Sequence, residues 1–170
     1  MRVFVAGATG VLGWRLVDQF ADRGHDVVGL SRDDAGDDRV RTFGGEPHRG
    51  DVLEPETLTA GADGADVVIH AATAIPTPDG SGSWTLNDRI RREGTRNLTA
   101  AAGEVGADRY LQQSVVMVAR QPDGSPFDED DPVNPAPTLE SAVDGEEIAR
   151  AAGETDGFDV RYSSSTMTAP

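Results

Sequence analysis

Three glycines spaced three residues apart form the pattern in this chain that is most directly tied to chemistry. Gly7, Gly10 and Gly13 follow directly behind the apolar run of residues 3–6. The spacing predicts that Gly7 turns the chain off a strand, that Gly10 leaves room for a pyrophosphate, and that Gly13 lets a helix pack closely. The unpaired N–H groups at the start of that helix would face the phosphates. A tight turn without a ligand is the alternative, and the strand–turn–helix context favours the phosphate site.

Strand and helix signals alternate along the chain around this turn. Strands are predicted at residues 2–6, 26–30, 46–49, 66–71, 109–114 and 159–162, and residues 115–118 could extend the fifth. Helices are predicted at residues 11–23, 39–43, 55–62, 84–105 and 139–152, with a Pro-rich exposed loop over 121–137. The alternation predicts an α/β fold, a doubly wound parallel sheet of the Rossmann type with strand order 3-2-1-4-5-6 and helices on both faces. A single domain over residues 1–170 is the expectation for this length.

The composition excludes several classes of function. The chain has no cysteine, which excludes disulfides, thiolate catalysis and cysteine-based metal sites. Its formal net charge is −15, so its surface repels nucleic acid and anionic membranes. No apolar run is long enough for a transmembrane helix, and the N-terminus begins a strand rather than a signal peptide. The expected location is therefore the cytoplasm.

Other polar residues are interpreted as structural. The three histidines are too scattered to predict a metal site, and His70 is expected to be partly buried and hydrogen-bonded to the backbone. The acidic run 128–131 is interpreted as solvated charge rather than a cation site. Trp84, near Asn87, is expected to pack locally rather than border a substrate cleft. A solvated helix face is expected for four arginines, Arg89, Arg91, Arg92 and Arg96.

Five stretches are spread along the chain in a fixed order: residues 7–13, 50–52, 66–73, 93–98 and 113–114. Together they resemble the NAD-dependent epimerase/dehydratase type of extended or atypical short-chain dehydrogenase/reductases. The resemblance implies binding of NADP or NAD and hydride transfer to or from the nicotinamide. It also implies a small-molecule substrate as the second partner.

The resemblance implies roles for residues at the matching positions. The pyrophosphate would be held by Thr9, Gly10, Val11 and Leu12, between Gly7 and Gly13. Asp51 and Val52 would meet the adenine, and the nicotinamide ribose would be lined by Ala71, Ala72 and Thr73. Ser114 stands where the family places its catalytic Ser, which hydrogen-bonds the substrate carbonyl or hydroxyl. Gln113 is a candidate for the ribose. The alternative for Gln113 and Ser114 is a polar end of a strand.

The end of the second strand predicts the choice of dinucleotide. Arg32 stands where NAD-specific relatives place an acid, and a cation there beside Ser31 suits the 2′-phosphate of NADP. Asp33 and Asp34 could instead bind the ribose hydroxyls of NAD. NADP is the favoured cofactor and NAD the alternative.

Two departures from the family pattern bear on catalysis rather than on dinucleotide binding. Members usually carry Tyr-x-x-x-Lys after the fifth strand, where Lys lowers the pKa of the proton-donating Tyr. The matching positions here are Thr138 and Ala142, and all fifteen basic residues are Arg. The substrate-binding C-terminal part of the relatives is also expected to be absent, which would leave one side of the sixth strand open for self-association or a partner. The alternative to an oxidoreductase is thus a non-catalytic dinucleotide-binding module, a regulator or a truncated remnant.

Overall fold

Six parallel strands form one sheet. The computed structural model describes residues 1–77, 80–119, 121, 123–126, 128 and 131–164. Its strands are β1 (Arg2–Ala6), β2 (Asp26–Ser31), β3 (Glu46–Arg49), β4 (Val67–His70), β5 (Arg109–Ser114) and β6 (Asp159–Ser164). Neighbouring strands pair in the order β3-β2-β1-β4-β5-β6, and every pairing is parallel. The predicted fold class and strand order are confirmed.

Helices connect the strands and cover both faces of the sheet. They are α1 (Gly13–Asp22), α2 (Asp34–Thr42), α3 (Leu58–Ala62), α4 (Trp84–Arg89), α5 (Thr95–Val105) and α6 (Glu140–Asp156). A π-helical segment, Ile90–Gly94, joins α4 to α5, and 3₁₀ turns at Pro55–Thr57 and Pro137–Leu139 lead into α3 and α6. Within the described residues, no helix is long and apolar enough to cross a membrane.

The alternation of side chains along β1 builds two cores. Val3 and Val5 point to the face covered by α1 and α2, where they pack in one cluster with Val17 and Val40. Phe4 points to the opposite face and belongs to a second cluster with residues of α3, α5 and α6. Because β1 is buried on both faces, its sequence is a continuous apolar run, as is typical of central parallel strands. The turn that follows β1 is therefore anchored at the centre of the molecule.

The π-helical segment interrupts the helix predicted at 84–105, and two further predicted elements differ from the structure. The extension of β5 over residues 115–118 is wrong: the ladder with β6 ends at Ser114, and the chain turns into a 3₁₀ helix at Val116–Ala119. The short helix predicted at 39–43 instead begins at Asp34, because the Asp33 carboxylate accepts the backbone N–H of Gly36 at 2.8 Å and caps it. Glu129 and Asp130 of the predicted acidic loop lie outside the described residues.

Candidate functional site

The turn after β1 is compatible only with glycine at two of its three glycine positions. Gly7 has φ +84°, and a Cβ on it would lie 2.5 Å from the backbone nitrogen of Ala72. A Cβ on Gly13 would lie 1.9 Å from the carbonyl oxygen of Gly7, so α1 packs directly against the turn. At Gly10 a Cβ would meet only the Gly7 carbonyl oxygen, at 3.3 Å, and the residue is exposed. The geometry agrees with the separate roles that the spacing predicts.

The N-terminus of α1 offers backbone donors to a ligand. In the described part of the chain no side chain caps α1, and its first turn holds no acidic residue. By contrast, α2 is capped by Asp33 and carries Asp34 and Asp37 in its first turn. Unpaired N–H groups with the positive end of the helix dipole favour an anion at α1. Gly10 and Val11 are exposed at this end and Thr9 is partly exposed, so the residues fit a pyrophosphate.

The second segment of the site is the carboxyl end of β4. The backbone N–H of Ala71 donates to the carbonyl oxygen of Ala6 at 2.9 Å, which holds β4 beside β1 to the last residue. Ala72 then lies against Gly7, and Thr73 is exposed beyond it. Strand order reverses between β1 and β4, and ligands of open α/β sheets bind outside the strand ends at such a point. The structure therefore brings residues 7–13 and 71–73 together.

Ser31 and Arg32 behave differently at the end of β2. Ser31 is buried, and its hydroxyl donates to the Asp37 carboxylate. This hydrogen bond, with a second from Arg49, lowers the pKa of Asp37. The side chain of Arg32 is 73% exposed, and its Nη1 lies 3.9 Å from Oδ2 of Asp51. Ser31 thus organises the base of the site, while Arg32 extends over its surface.

The acids near Arg32 all have partners. Asp33 caps α2, and Arg49 donates to Asp34 at 2.7 Å and to Asp37 at 2.6 Å. These contacts raise the pKa of Arg49 above its usual range. Asp51, the predicted adenine residue, accepts the backbone N–H of Leu53 at 2.9 Å. No carboxylate of this cluster is left without a hydrogen-bond donor among the described residues.

Val52 is positioned by the helix that follows β4. The side-chain amide of Asn97 donates to the Val52 carbonyl oxygen at 2.9 Å. A Cβ on Gly94 would lie 3.2 Å from Val52 Cγ2, a tight contact, so glycine there lets the helix approach Val52 closely. The side chain of Val52 is buried. The matching stretches 50–52 and 93–98 are therefore in contact with each other.

Ser114 lies at the carboxyl end of β5 and is paired with an acid that the sequence did not single out. Its hydroxyl donates to Oε1 of Glu146 on α6. The hydroxyl of Tyr162 on β6 donates to the backbone carbonyl oxygen of Glu146 at 2.8 Å. Gln113, one residue earlier, faces the opposite side of the sheet and is only partly buried. Ser114 and Glu146 together form a hydroxyl–carboxylate pair at the same edge of the sheet as the glycine turn.

The positions at which the family carries Tyr and Lys lie just before and within α6, the helix that also carries Glu146. Thr138 lies exposed in the 3₁₀ turn before α6, and Ala142 is buried. Glu146 follows Ala142 by four residues, a spacing that places both on one helix face. That spacing is the signal from which Glu146 could have been predicted.

Neither tyrosine of the chain is available as the family's proton donor. Tyr110 is fully buried, its hydroxyl donates to Gln112 at 3.0 Å, and burial raises its pKa well above the usual value. Tyr162 is occupied by the Glu146 carbonyl, and burial also raises its pKa. The Ser114 hydroxyl, by contrast, is hydrogen-bonded to an ionisable side chain, that of Glu146.

His70 has the structural role that the sequence predicts and is more deeply buried than expected. It is 1% exposed, with Nε2 3.3 Å from the Ile90 carbonyl oxygen and Nδ1 accepting the N–H of Ala72 at 3.3 Å. Burial lowers the pKa of His70 to about 4. The neutral ring links the π-helical segment, through Ile90, to the end of β4. No group of residues suited to hold a metal ion is found in the described part of the chain.

One expectation on the helix after β4 needs correction. The solvated face predicted for four arginines is wrong for Arg91, which is 6% exposed. Arg91 follows Asn87 by four residues and precedes Thr95 by four, and all three lie on the buried stripe of the helix. Trp84, expected to pack locally, is 46% exposed.

Comparisons with known proteins give the family. The model of the NAD dependent epimerase/dehydratase family matches residues 3–163. A 3-diazoavenalumate denitrifying reductase from a Streptomyces species is 38% identical over 141 residues, 78% of this chain and 44% of the relative. The photosystem II assembly factor Ycf39 of a Synechocystis species is 34% identical over 122 residues, 72% of this chain and 36% of the relative.

Solved structures show the same fold. The UDP-glucose 4-epimerase of Thermus thermophilus, crystallised with NAD, superposes with a TM-score of 0.80 at 22% identity, over 95% of this chain and 54% of the epimerase. The chain spans less than half the length of the two curated relatives described above. Family membership supports the predicted binding of a nicotinamide dinucleotide. The chain belongs to the NAD-dependent epimerase/dehydratase family.

Proposed function

We propose that this chain binds NADP across the carboxyl ends of β1 and β4 and takes part in hydride transfer on a small-molecule substrate. The observation that carries the proposal is the close approach of Gly7 to Ala72, where a Cβ would be 2.5 Å from the backbone nitrogen. This approach joins the pyrophosphate turn to the segment proposed for the nicotinamide ribose. When bound, the nicotinamide supplies the hydride donor or acceptor.

The preference for NADP over NAD rests on charge at the end of β2. Arg32 is exposed and has only the distant Asp51 carboxylate, at 3.9 Å, as an ion-pair partner among the described residues. Asp33 and Asp34, which could serve the ribose hydroxyls of NAD, are engaged by α2 and Arg49. A guanidinium that forms no close ion pair is available to bind a 2′-phosphate. NAD, with which the epimerase of Thermus thermophilus was crystallised, is the competing cofactor.

Ser114 and Glu146 are proposed to move the proton that accompanies the hydride. The Ser114 hydroxyl hydrogen is directed at the Glu146 carboxylate, so the lone pairs of Oγ can accept a hydrogen bond from a substrate hydroxyl. In the oxidative direction the substrate proton passes to Ser114 as the Ser114 proton passes to Glu146. In the reductive direction the same pair returns the proton to the substrate oxygen. The pair would thus take the role that Tyr and Lys have elsewhere in the family.

Titration of NADP and NAD, followed by protection against thermal unfolding, tests the binding proposal. NADP should bind roughly ten- to a hundredfold more tightly, since a charge-assisted contact contributes about 1.5–3 kcal/mol. Arg32→Ala should remove the preference, whereas Arg39→Ala, which removes an exposed arginine from α2, should keep it. Gly10→Val should abolish binding of both dinucleotides while the protein stays folded. Unchanged affinity in Gly10→Val would refute the site, and an NAD preference in the native chain would refute the role of Arg32.

A further inference from the structure

Arg91 carries a buried positive charge that forms no close ion pair in the described part of the chain. The residue is 6% exposed, and its Nη1 is inaccessible and has no hydrogen-bond partner among the described residues. Burial lowers the pKa of the guanidinium, and the acid that acts against this shift is Asp88, the neighbour of Asn87 on α4. A guanidinium stays protonated at physiological pH. Leaving such a charge buried and unpaired is costly, so the arrangement favours an incoming anion.

Two further buried side-chain donors also lack a hydrogen-bond partner. The side-chain nitrogen of Asn87 and the hydroxyl of Ser141 are also buried and without a hydrogen-bond partner in the described chain. Asn87 is 0% and Ser141 1% exposed. Buried polar groups in native proteins are nearly always paired, so three unpaired donors in one region indicate a missing acceptor.

The packing of two helices brings the three donors to one place. A Cβ on Gly145 of α6 would lie 3.0 Å from the carbonyl oxygen of Arg91, so the two helices touch there through their backbones. Ser141 lies one turn before Gly145, as Asn87 lies one turn before Arg91. Because both helices run from the carboxyl edge of the sheet, the pairs lie at the same level. The donors therefore lie along the contact between the start of α6 and the stretch that runs from α4 into the π-helical segment.

This interface adjoins the proposed cofactor site. The side-chain carbonyl oxygen of Asn87 accepts the backbone N–H of Ala74 at 3.0 Å, directly after the segment proposed for the nicotinamide ribose. The charge of Arg91 is also one of the causes that lower the pKa of His70, at the end of β4. An anion held by Arg91 would consequently lie next to the place where hydride transfer is proposed.

We infer that Asn87, Arg91 and Ser141 form an anion subsite that holds a carboxylate or phosphate group of the substrate. The assignment of this anion to a substrate rests on the proposed function, whereas the anion site itself does not. The fork of Arg91 suits a two-oxygen acceptor, and the neutral donors of Asn87 and Ser141 supply the remaining hydrogen bonds. The substrate class is therefore acidic small molecules.

Thermal unfolding in sodium acetate and in sodium phosphate, each compared with sodium chloride at equal ionic strength, tests the subsite. The native chain should be stabilised by at least one of the two anions, and which one it is separates a carboxylate from a phosphate ligand. Arg91→Met should weaken this anion affinity about ten- to a hundredfold. It should also raise the melting temperature in chloride, because it removes an uncompensated charge. Arg96→Met removes an exposed arginine from α5 and should keep the native response.

Two more variants keep the outcome interpretable. Gly10→Val should retain the part of the response that Arg91→Met removes, which separates the subsite from phosphate binding at the glycine turn and from failure of dinucleotide binding. Ser141→Ala, a mild change within α6, should weaken the response and provides the test if Arg91→Met does not fold. Equal anion responses in the native chain, Arg91→Met and Ser141→Ala would overturn the inference, as would a native chain that responds to neither anion.

Discussion

At the scale of single residues, the contact between Ser114 and Glu146 carries the proposed proton transfer. A serine hydroxyl alone is a weak proton donor, and its direction toward a carboxylate gives the proton a place to go. Glu146 is held from behind by Tyr162, which binds its backbone carbonyl oxygen at 2.8 Å. The acid is thus positioned by two neighbouring strands and not by its own helix alone.

Replacing Glu146 by Gln should lower the turnover of any accepted aldehyde, ketone or sugar-nucleotide substrate by about 10²–10⁴-fold, the usual worth of a positioned proton-transfer group. NADP affinity should stay unchanged, because the carboxamide keeps the volume of the carboxylate. Oxidation of the reduced nicotinamide, followed by absorbance, gives the turnover. Glu147→Gln changes the neighbouring exposed acid and serves as the control. Full turnover in Glu146→Gln would leave the pair without a catalytic role.

His70 should make the stability of the fold depend on pH. Its pKa is lowered by burial from 6.5 to about 4, so the unfolded chain binds the proton first as pH falls. The stabilisation is fully present above pH 6.5 and is lost as pH falls toward about 4, by about 3 kcal/mol in all. Denaturant unfolding of the native chain and His70→Gln over this range measures the difference. Parallel curves for the two proteins would contradict the prediction.

At the scale of elements, the turn between β1 and α1 separates two kinds of glycine. Gly13→Ala should destabilise the fold by about 2–3 kcal/mol, since its Cβ would overlap the Gly7 carbonyl oxygen at 1.9 Å. Gly10→Ala should cost less than about 1 kcal/mol, because its Cβ meets the same oxygen only at 3.3 Å. The free energy of unfolding in denaturant measures both. Equal costs would mean that α1 can move away from the turn.

The elements also show what sequence can predict. The strands and their order follow from apolar runs and alternation, and those signals are local. The end of β5 depends on where its ladder with β6 stops, at Ser114, which no local pattern records. Glu146 and Arg91 stand at helical spacing from residues already singled out, yet their contacts depend on how α6 packs. The glycine turn was predictable because its chemistry and its backbone geometry lie in one short segment.

At the scale of the whole molecule, repulsion between like charges destabilises the folded state. The formal net charge is −15, whereas the ion pairs of the described residues are mostly exposed and each contributes little. Asp159 of the edge strand β6 pairs with Arg109 and Arg161, and charges on an edge strand discourage pairing with another chain. Self-association through β6 remains a prediction.

Screening of this charge should stabilise the fold. The free energy of unfolding is expected to rise between about 0.01 M and about 1 M sodium chloride, as the Debye length falls from roughly 30 Å to roughly 3 Å. The rise should be smaller near pH 4, where many carboxylates are protonated. Denaturant unfolding at each salt concentration provides the measurement. A fall in stability with salt at neutral pH would show that the ion pairs outweigh the repulsion.

The π-helical segment Ile90–Gly94 acts as a spacer between two helices of fixed direction. It is geometrically equivalent to one residue inserted into a straight helix, and each residue of an α-helix turns the chain by about 100°. Deleting Arg92 would restore a continuous helix and rotate α4 against α5 by that angle. Asn87 would then leave the backbone of Ala74, which it now holds at 3.0 Å. The extra residue in this π-helical turn thus sets the rotation of α4 relative to α5, and with it the position of Asn87 beside Ala74.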